Sequence, residues 1–449
     1  MTRRRLALLL LAAACTSAVP APTPTVTPIP VSGGREKPAA GRAGAGAPAT
    51  VPGRAANLPE NVKDVGEATI RVLLSKSANA VRVSAPGGML FTDRDGALIA
   101  RARRGEAWRV EHALRRVRAV RPDGVPTPWM EGPLFARPLD GSLGSISGRP
   151  YRGDFAFYGA DDGVSSVNVV TIDDYVRGVV PLEIGTRAER DSAAVQAQAV
   201  TARSYAYTHL DDDPGHEYDV TSGVMDQVYG GVAGETPVAS EAVESTRTLV
   251  LSYAGRVVNA PYHSTCGGST AAASEVWHSP DEPYLRPVSD QIPGTDRYYC
   301  DISPRFHWTR TIDGAKLDAA VKRYLAQYAA VPGRDPGTVQ DVTIGSLTRS
   351  GRVATLTIST DRGNFVLRGD EIRYVLRNPG GEILNSTKFT LDSESGSDGA
   401  LARLVIRGNG YGHGVGMCQW GAIGRARAGQ DFRTILSTYY PGTTVGPAH

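Results

Sequence analysis

Alternating apolar and polar positions dominate the first part of the chain and predict β-strands. The segments ATIRVLLS (68–75) and AVRVSAP (80–86) alternate, and turns rich in Gly, Asp and Pro follow them. YRGDFAFYG (151–159) and VSSVNVVTI (164–172) are two more strand candidates. Because a period of two residues is typical of strands, we expect a β-rich region over residues 58–150.

A helical period replaces this alternation further along the chain. Small apolar residues recur at helical spacing at Val195, Ala199, Ala202 and Ala206. The pattern predicts a helix over 192–209 that packs closely against a neighbour, with Asp191 or Ser192 as its N-cap. We also expect an amphipathic helix over 314–329 and a short helix in DFRTILSTYY (431–440). The mixture indicates an α+β fold with mainly antiparallel sheets.

The first fifteen residues, MTRRRLALLLLAAAC, form a processing signal. Three arginines precede an apolar run from Leu6 to Ala14 that is too short to span a bilayer, so we predict export to the cell envelope. The end of the run resembles a bacterial lipobox, in which Cys15 carries a lipid anchor; cleavage that removes Cys15 is the alternative. Residues 16–57, rich in Pro, Ala and Gly, are expected to form a linker.

Composition and charge narrow the choice of partners. The chain has 449 residues, of which 41% are hydrophobic and 21% charged, as in a globular protein with room for more than one domain. Its net charge of +3 is too small to indicate nucleic-acid binding, and it shows no motif for RNA or DNA recognition. We therefore expect no nucleic-acid partner, and contact with a membrane only through the lipid anchor.

A glycine-rich segment near the end, GNGYGHGVGMCQWGA (408–422), is the most unusual part of the sequence. Six of its fifteen residues are glycines, which suit backbone that takes positive φ or approaches another group closely. Tyr411, with Trp420, Tyr439 and Tyr440, could stack on sugar rings, although aromatic residues more often belong to a core. We interpret the segment as a surface whose backbone lies close to a sugar polymer.

Glu183 is the candidate general acid. It stands in an apolar stretch, VVPLEIG (179–185), where burial would keep its carboxyl group protonated near neutral pH. The alternative is a solvated glutamate at the end of a strand. Asp173 or Asp174, ten and nine residues upstream, could supply the second carboxylate of a hydrolase by facing Glu183, but turn or capping roles are favoured.

Histidine and cysteine residues offer a second kind of site. His263 and Cys266 lie three residues apart, and Cys300 and Cys418 follow later in the chain. Zinc prefers sulfur and nitrogen ligands, although this spacing matches no compact zinc motif. A zinc site at His263 and Cys266, completed by Cys300 or Cys418, therefore competes with a Cys266–Cys300 disulfide of an exported protein.

Four segments together resemble the stage II sporulation protein D (SpoIID) family, which includes amidase-enhancer proteins of the cell wall. They are DDYVRGVVPLEIG (173–185), AAVQAQAVTARSYAY (193–207), PYHSTCGGST with the later VW and PYLRPV (261–288), and GYGHGVGMCQWGA with DFRTILSTYYPGT (410–443). The resemblance covers roughly residues 65–445. It implies an α+β fold in which residues 151–445 form a catalytic domain with a glycan groove.

The resemblance also implies an activity, that of a lytic transglycosylase. Such an enzyme cleaves peptidoglycan glycan strands stripped of their peptides and leaves 1,6-anhydro-N-acetylmuramic acid ends, without a required cofactor. Glu183 matches the family's catalytic glutamate. The implied groove residues are Gln198, Arg203, Ser204, Tyr205, His413 and Gln419. Some members hold zinc through His and Cys, as His263 and Cys266 would here.

A glycan-binding module is the alternative to an enzyme. Such a protein would grip stripped glycan and stimulate an N-acetylmuramoyl-L-alanine amidase without cleaving a bond. The same groove serves both functions. The glutamate at position 183 favours the enzyme, since a glutamine would have favoured binding alone.

Overall fold

The computed structural model describes residues 68–448 except 212, 214, 278, 378 and 379. The predicted signal segment, Cys15 and the linker over 16–57 lie outside the described residues. Within them the fold is α+β with mainly antiparallel strand pairs, as predicted. No helix in this part of the chain is long and apolar enough to cross a membrane.

The N-terminal part is β-rich, as predicted, and forms two sheets. Its strands are β1 (Thr69–Ala78), β2 (Ala80–Ser84), β3 (Met89–Thr92), β4 (Leu98–Ala102), β5 (Ala107–Ala113), β6 (Arg116–Val120), β7 (Met130–Glu131), β8 (Leu134–Pro138), β9 (Gly144–Ile146), β10 (Arg149–Tyr151), β11 (Asp154–Ala160) and β12 (Gly163–Thr171). With β13 (Val220–Thr221), they follow the orders β13-β1-β12-β11-β8-β3-β4 and β10-β9-β2-β5-β6-β7. The first sheet includes β11 and β12, so it continues past residue 150, where the β-rich region was predicted to end.

The central strand β12 leads into the first helix. It lies between β1 and β11, so its residues 163–170 are buried on both faces of the sheet. The buried Asn168 is satisfied there: its Nδ2 donates to Arg152 O (2.8 Å) and Asp154 O (3.0 Å), and its Oδ1 accepts from the Tyr229 hydroxyl (2.8 Å). Such pairing is what buried polar groups require.

Two helices after β12 carry several of the predicted site residues. α1 (Ile172–Ile184) begins after Thr171, whose hydroxyl accepts a backbone hydrogen bond of the first turn. α2 (Ser192–Thr208) confirms the predicted helix over 192–209. Asp191 occupies its N-cap position but makes no capping bond, because its carboxylate accepts from Arg427 Nε (2.7 Å).

The remaining elements are shorter. They are α3 (Pro237–Ser245), β14 (Leu249–Tyr253), β15 (Arg256–Val257), β16 (Tyr262–His263), α4 (Ala273–Trp277), β17 (His307–Asp313), α5 (Gly314–Tyr324), β18 (Val339–Leu347), β19 (Val353–Thr360), β20 (Gly363–Arg368), α6 (Glu371–Val375), β21 (Phe389–Ser395), β22 (Leu401–Asn409), β23 (Met417–Cys418), α7 (Gln419–Arg427), α8 (Phe432–Tyr439) and β24 (Thr444–Pro447). The helix predicted over 314–329 is α up to Tyr324 and then a 3₁₀ turn over Leu325–Gln327. α8 confirms the predicted short helix.

A second hydrophobic core lies inside the region that was predicted as one domain, residues 151–445. Its buried residues run from Ile312 to Ile406, whereas the main core runs from Ile70 to Tyr440. Strands β17, β22 and β21 form one sheet of this unit, and β18, β19 and β20 form another. We call residues 307–409 the inserted unit. The glycine-rich segment begins at its last residues.

The glycine-rich segment packs against the chain's own backbone. β23 pairs in parallel with β16, and Tyr411 bridges to Thr265. Gly410 (φ 83°) and Gly416 (φ 72°) take left-handed conformations, and a Cβ added to them would lie 2.6 Å from Thr265 O and 2.0 Å from Pro261 O. The sequence predicted that these glycines let the backbone lie close to a sugar polymer. At Gly410 and Gly416 the close neighbour is instead the backbone of the same chain.

Candidate active site

Glu183 lies in the last turn of α1 and is half-buried. Its Oε1 accepts a hydrogen bond from Val228 N (2.8 Å). Burial raises the pKa of Glu183 above its usual range, and the Val228 hydrogen bond opposes part of this rise. The geometry therefore fits a carboxyl group that holds its proton closer to neutral pH, and the solvated strand end is not what the structure shows.

Three tyrosines and two residues of a loop surround this carboxyl group. The hydroxyl of Tyr175 donates to Gln227 Oε1 (3.2 Å), and Gln227 Nε2 donates to the Tyr262 hydroxyl (3.0 Å). The hydroxyl of Tyr205 donates to Asp226 Oδ1 (3.2 Å). Burial, with a contribution from the negative charge of Glu183, raises the pKa of all three tyrosines, so they stay neutral. We call these five residues and Glu183 the Glu183 network.

Sequence reasoning found only Glu183 and Tyr205 of this network. Asp226 and Gln227 belong to the segment SGVMDQVYGG (222–231), whose Val228 N–H reaches Glu183. The adjacent polar pair between a turn and two glycines was the available signal. A contact 45 residues away along the chain has no period that a sequence pattern can show.

Asp226 is the second carboxylate of the network. Its Oδ2 accepts from Thr221 N (2.8 Å) and from the Thr221 hydroxyl (2.7 Å), and its Oδ1 accepts from Tyr205. No cation pairs with it among the residues that the structure describes. All three of these groups donate, so Asp226 serves as an acceptor in the network.

Asp173 and Asp174 occupy the opposite end of α1. Asp173 is buried against Arg203, whose Nε lies 2.6 Å from Asp173 Oδ1, and Asp174 lies near Arg152 and Arg177. Nine or ten residues of α-helix separate them from Glu183, which is about 14–15 Å along the axis. The alternative in which one of them faces Glu183 is contradicted, and the favoured structural role fits.

Arg203 and Ser204 lie in the interior rather than on an accessible surface. Arg203 is 1% exposed and donates to Leu249 O (2.9 Å) in addition to pairing with Asp173. The Ser204 hydroxyl donates to Val200 O (2.7 Å) and accepts from Leu251 N (2.8 Å). A glycan cannot reach either side chain in this arrangement, so the structure does not support their groove role.

Gln198 and Gln419 connect α2 to the start of α7. Gln419 Nε2 donates to Gln198 Oε1 (3.2 Å), and Gln198 Nε2 is buried without a partner in the described part of the chain. The next residue, Trp420, is half-buried under the Arg187 guanidinium (4.9 Å to the ring centre). Arg187 in turn donates to Ile184 O (2.7 Å), so α7 begins close to the end of α1 that carries Glu183.

His413 and Tyr411 hold the glycine-rich segment in place. His413 Nδ1 accepts from Val415 N (3.1 Å), so Nε2 carries the proton and donates to Tyr262 O (2.8 Å). Burial and then the neighbouring His263 lower the pKa of His413 well below its ordinary value, so the ring is neutral. Tyr411 is half-buried beneath Arg305, 4.1 Å from its ring centre.

The three cysteines form one buried cluster. Ligand atoms of Cys266, Cys300, Cys418 and Asp290 all lie within 4.8 Å of one another, and no disulfide joins the thiols. The Cys266 and Cys300 sulfurs are 3.4 Å apart, and Cys266 N and Gly421 N donate to Cys418 Sγ (3.2 and 3.3 Å). We call these four residues the thiol cluster.

His263 lies beside Cys266 but is not one of the four residues whose ligand atoms all lie within 4.8 Å of one another. Its Nδ1 is 3.1 Å from Val415 O, and its Nε2 is buried without a hydrogen-bond partner among the described residues. Arg352 is also buried there. Its Nη2 donates to Cys266 O (3.0 Å), while its Nε and Nη1 have no partner in the described chain. Three sulfurs, one carboxylate oxygen and an adjacent buried cation fit a zinc ion held by thiolates.

Comparisons with known proteins identify relatives of this chain. A sequence model described as SpoIID, stage II sporulation protein, matches residues 160–253, and a domain of unknown function, DUF8618, matches residues 295–416. An uncharacterized protein of Brachyspira hyodysenteriae is 30% identical over 306 residues, which cover 67% of this chain and 73% of that protein.

Two named relatives come from Bacillus subtilis. The amidase enhancer is 30% identical over 302 residues, 60% of this chain and 40% of the relative, so less than half of that protein is spanned. Stage II sporulation protein D is 28% identical over 298 residues, 63% of this chain and 76% of the relative. The family model and the names of these relatives support a cell-wall-related role. The chain belongs to the SpoIID/amidase-enhancer family.

Proposed function

We propose that this protein is a lytic transglycosylase of peptide-stripped peptidoglycan strands, with Glu183 as its general acid and base. The observation that carries the proposal is the environment of Glu183. Its carboxyl group is half-buried, has a raised pKa and receives one backbone hydrogen bond from the protein. Of the neutral tyrosines near it, Tyr205 is half-buried and can orient a polyhydroxylated substrate through its hydroxyl group.

The chemistry needs one carboxyl group. Protonated Glu183 gives its proton to the glycosidic oxygen between N-acetylmuramic acid and N-acetylglucosamine, and that C–O bond breaks. An oxocarbenium-like centre develops at C1 of the muramoyl sugar. Ionised Glu183 then takes the proton of that sugar's own C6 hydroxyl as its oxygen bonds to C1. A hydrolase would need a second carboxylate to act on water. Asp173 and Asp174 lie at the far end of α1, and both carboxylate oxygens of Asp226 already accept hydrogen bonds from Tyr205 and Thr221.

The test compares wild type with Glu183→Gln on glycan strands prepared with an amidase. We expect wild type to release products one water lighter than hydrolysed sugars by mass spectrometry, and Glu183→Gln to lose about 10²–10⁴-fold of the rate. Asp174→Asn, on the same helix, is the matched control and should retain the rate. Products at the hydrolysed mass, or equal rates for both variants, would contradict the mechanism.

A binding protein that stimulates an amidase is the second candidate. The amidase enhancer among the relatives favours it by name. Under this function the wild type and Glu183→Gln chains bind stripped strands equally, release no product, and raise amidase turnover to the same extent. The same two chains therefore separate the candidates.

We further propose that the thiol cluster holds a structural zinc ion through Cys266, Cys300, Cys418 and Asp290. The spacing of the four ligand atoms and the unpaired charge of Arg352 support it. Bound there, zinc would cross-link three distant parts of the chain. The proposed ligand set keeps Cys266 and replaces His263 with Asp290.

Metal analysis and intact mass test the zinc site. We expect about one zinc per chain, lost in Cys300→Ser and Cys418→Ser and retained in His263→Gln. Removal of zinc with a chelator should lower the unfolding temperature, because the ion binds only the folded chain. A chain without metal and lighter by two hydrogens would instead establish the Cys266–Cys300 disulfide.

A further inference from the structure

A cleft lies in the inserted unit beside the start of the glycine-rich segment. Its volume is about 570 Å³, which is in the range of ligand sites. Residues of three adjacent strand ends line it, among them His307, Trp308, Lys388, Phe389, Arg407 and Asn409. No aspartate or glutamate belongs to its lining. The cleft is therefore aromatic and basic.

Gly408 makes the aromatic part of the cleft wall possible. Trp308 and Phe389 pair with Gly408 from opposite sides in the sheet of β17, β22 and β21. A Cβ added to Gly408 would lie 2.2 Å from the Trp308 indole. Only glycine leaves room for an indole at this position, and Trp308 then lies 6.4 Å from Phe389 between ring centres.

The basic groups of the cleft have room for an anion. Lys388 is half-buried, and its Nζ donates to Gly267 O (2.9 Å); no carboxylate pairs with it in the described chain. Arg407 is exposed and pairs with Asp392 across the sheet. A desolvated ammonium group that has only a carbonyl partner gains most from an added negative charge.

The cleft is close to the Glu183 network along the chain. Asn409 lines the cleft, and four residues later His413 donates to Tyr262 O, a residue of the network. Four residues span at most about 14 Å. The cleft residue Asn409 and the segment that holds Tyr262 are therefore no further apart than a few sugar units of a glycan strand.

We propose that this cleft is a second glycan subsite that binds the lactyl carboxylates of stripped strands. Removal of the stem peptide from a muramoyl sugar frees a carboxylate on its lactyl group, so a stripped strand carries a negative charge at every second sugar. Lys388 and Arg407 match that charge, and Trp308 offers an aromatic surface to a sugar ring. The choice of ligand rests on the proposed function, whereas the cleft itself does not.

The test uses the full chain with Glu183→Gln, so that strands bind without being cut. Binding of fluorescent stripped strands of increasing length is measured with added Lys388→Gln, Arg407→Gln or Arg403→Gln. Arg403 is the matched control, because it lies on β22, is exposed and pairs with Glu394 just as Arg407 pairs with Asp392. We expect Lys388→Gln and Arg407→Gln to lower the affinity for long strands roughly three- to tenfold, and Arg403→Gln to leave that affinity unchanged.

Two further comparisons decide the chemistry. A tetrasaccharide should bind equally to all these chains, and N-acetylglucosamine oligomers, which lack the lactyl group, should bind more weakly than stripped strands of equal length. Equal effects of Arg407→Gln and Arg403→Gln, or equal binding of the neutral oligomers, would overturn the subsite. Because no step requires cleavage, the subsite can stand if the transglycosylase activity fails, and the activity can stand if the subsite fails.

Discussion

The two ends of α1 carry carboxylates in different surroundings. Asp173 in the first turn is buried against Arg203, a cation that is itself only 1% exposed. Glu183 in the last turn has no cation partner in the described structure and receives a single backbone hydrogen bond. The first carboxylate is paired within the protein, whereas the second has a raised pKa and lone pairs that no described residue occupies. The two carboxyl groups therefore differ in their hydrogen-bond and ion-pair partners rather than in their chemical type.

Loss of the ion pair between Asp173 and Arg203, at the first turn of α1, should have the largest effect on the free energy of unfolding. Arg203→Met removes the closer cation partner of the buried Asp173 and leaves only Arg247, whose Nε lies 3.8 Å from Asp173 Oδ2. We expect it to lower the free energy of unfolding by about 3–5 kcal/mol. Glu183→Gln should not destabilise the chain. Denaturant titration of both variants measures the contrast, and equal losses would remove the distinction between the two ends.

The pH dependence of stability sharpens the comparison at the functional end. The pKa of Glu183 is raised by burial, so the folded chain holds this proton more tightly than the unfolded chain. Its contribution is therefore most favourable below the unfolded pKa and is lost as pH rises through the folded pKa. Glu183→Gln should raise the unfolding temperature relative to wild type more at pH 8 than at pH 4, and an effect independent of pH would contradict the raised pKa.

The smallest expected effect concerns the neighbours of Glu183. Tyr205→Phe removes the hydrogen bond between Tyr205 and Asp226, and Asp226→Asn replaces one accepting oxygen of Asp226 with a donor group. A hydrogen bond is worth about 0.5–1.5 kcal/mol, so we expect roughly two- to tenfold lower rates of strand cleavage. Thr208→Val is the control, since its hydroxyl bonds Tyr205 O outside the network. If the double variant loses as much as the product of the single losses, Asp226 and Tyr205 act independently and not as a pair.

Much of the fold was readable from local patterns. Strand alternation in the first part, the helix over 192–209 and the short helix before Pro441 follow from periods of two and 3.6 residues and are confirmed. The site was read only in part. Glu183 stood out by its apolar surroundings. Arg203 and Ser204 were assigned to a groove by the family resemblance, and the sequence could not show their buried partners.

The sequence by itself determined the family and the elements with a clear period, and it singled out Glu183 as a candidate, because motifs and periods are properties of neighbouring residues. Tertiary structure alone decided which groups meet. It brought Val228 to Glu183, and it brought Cys300 and Cys418 to Cys266. It also placed Asp290, rather than His263, among the four mutually close ligand residues. The physical reason is that the pKa of a carboxyl group and the ligand set of a metal depend on burial and on atoms a few Å away in space, which lie 34 to 152 residues away along the chain.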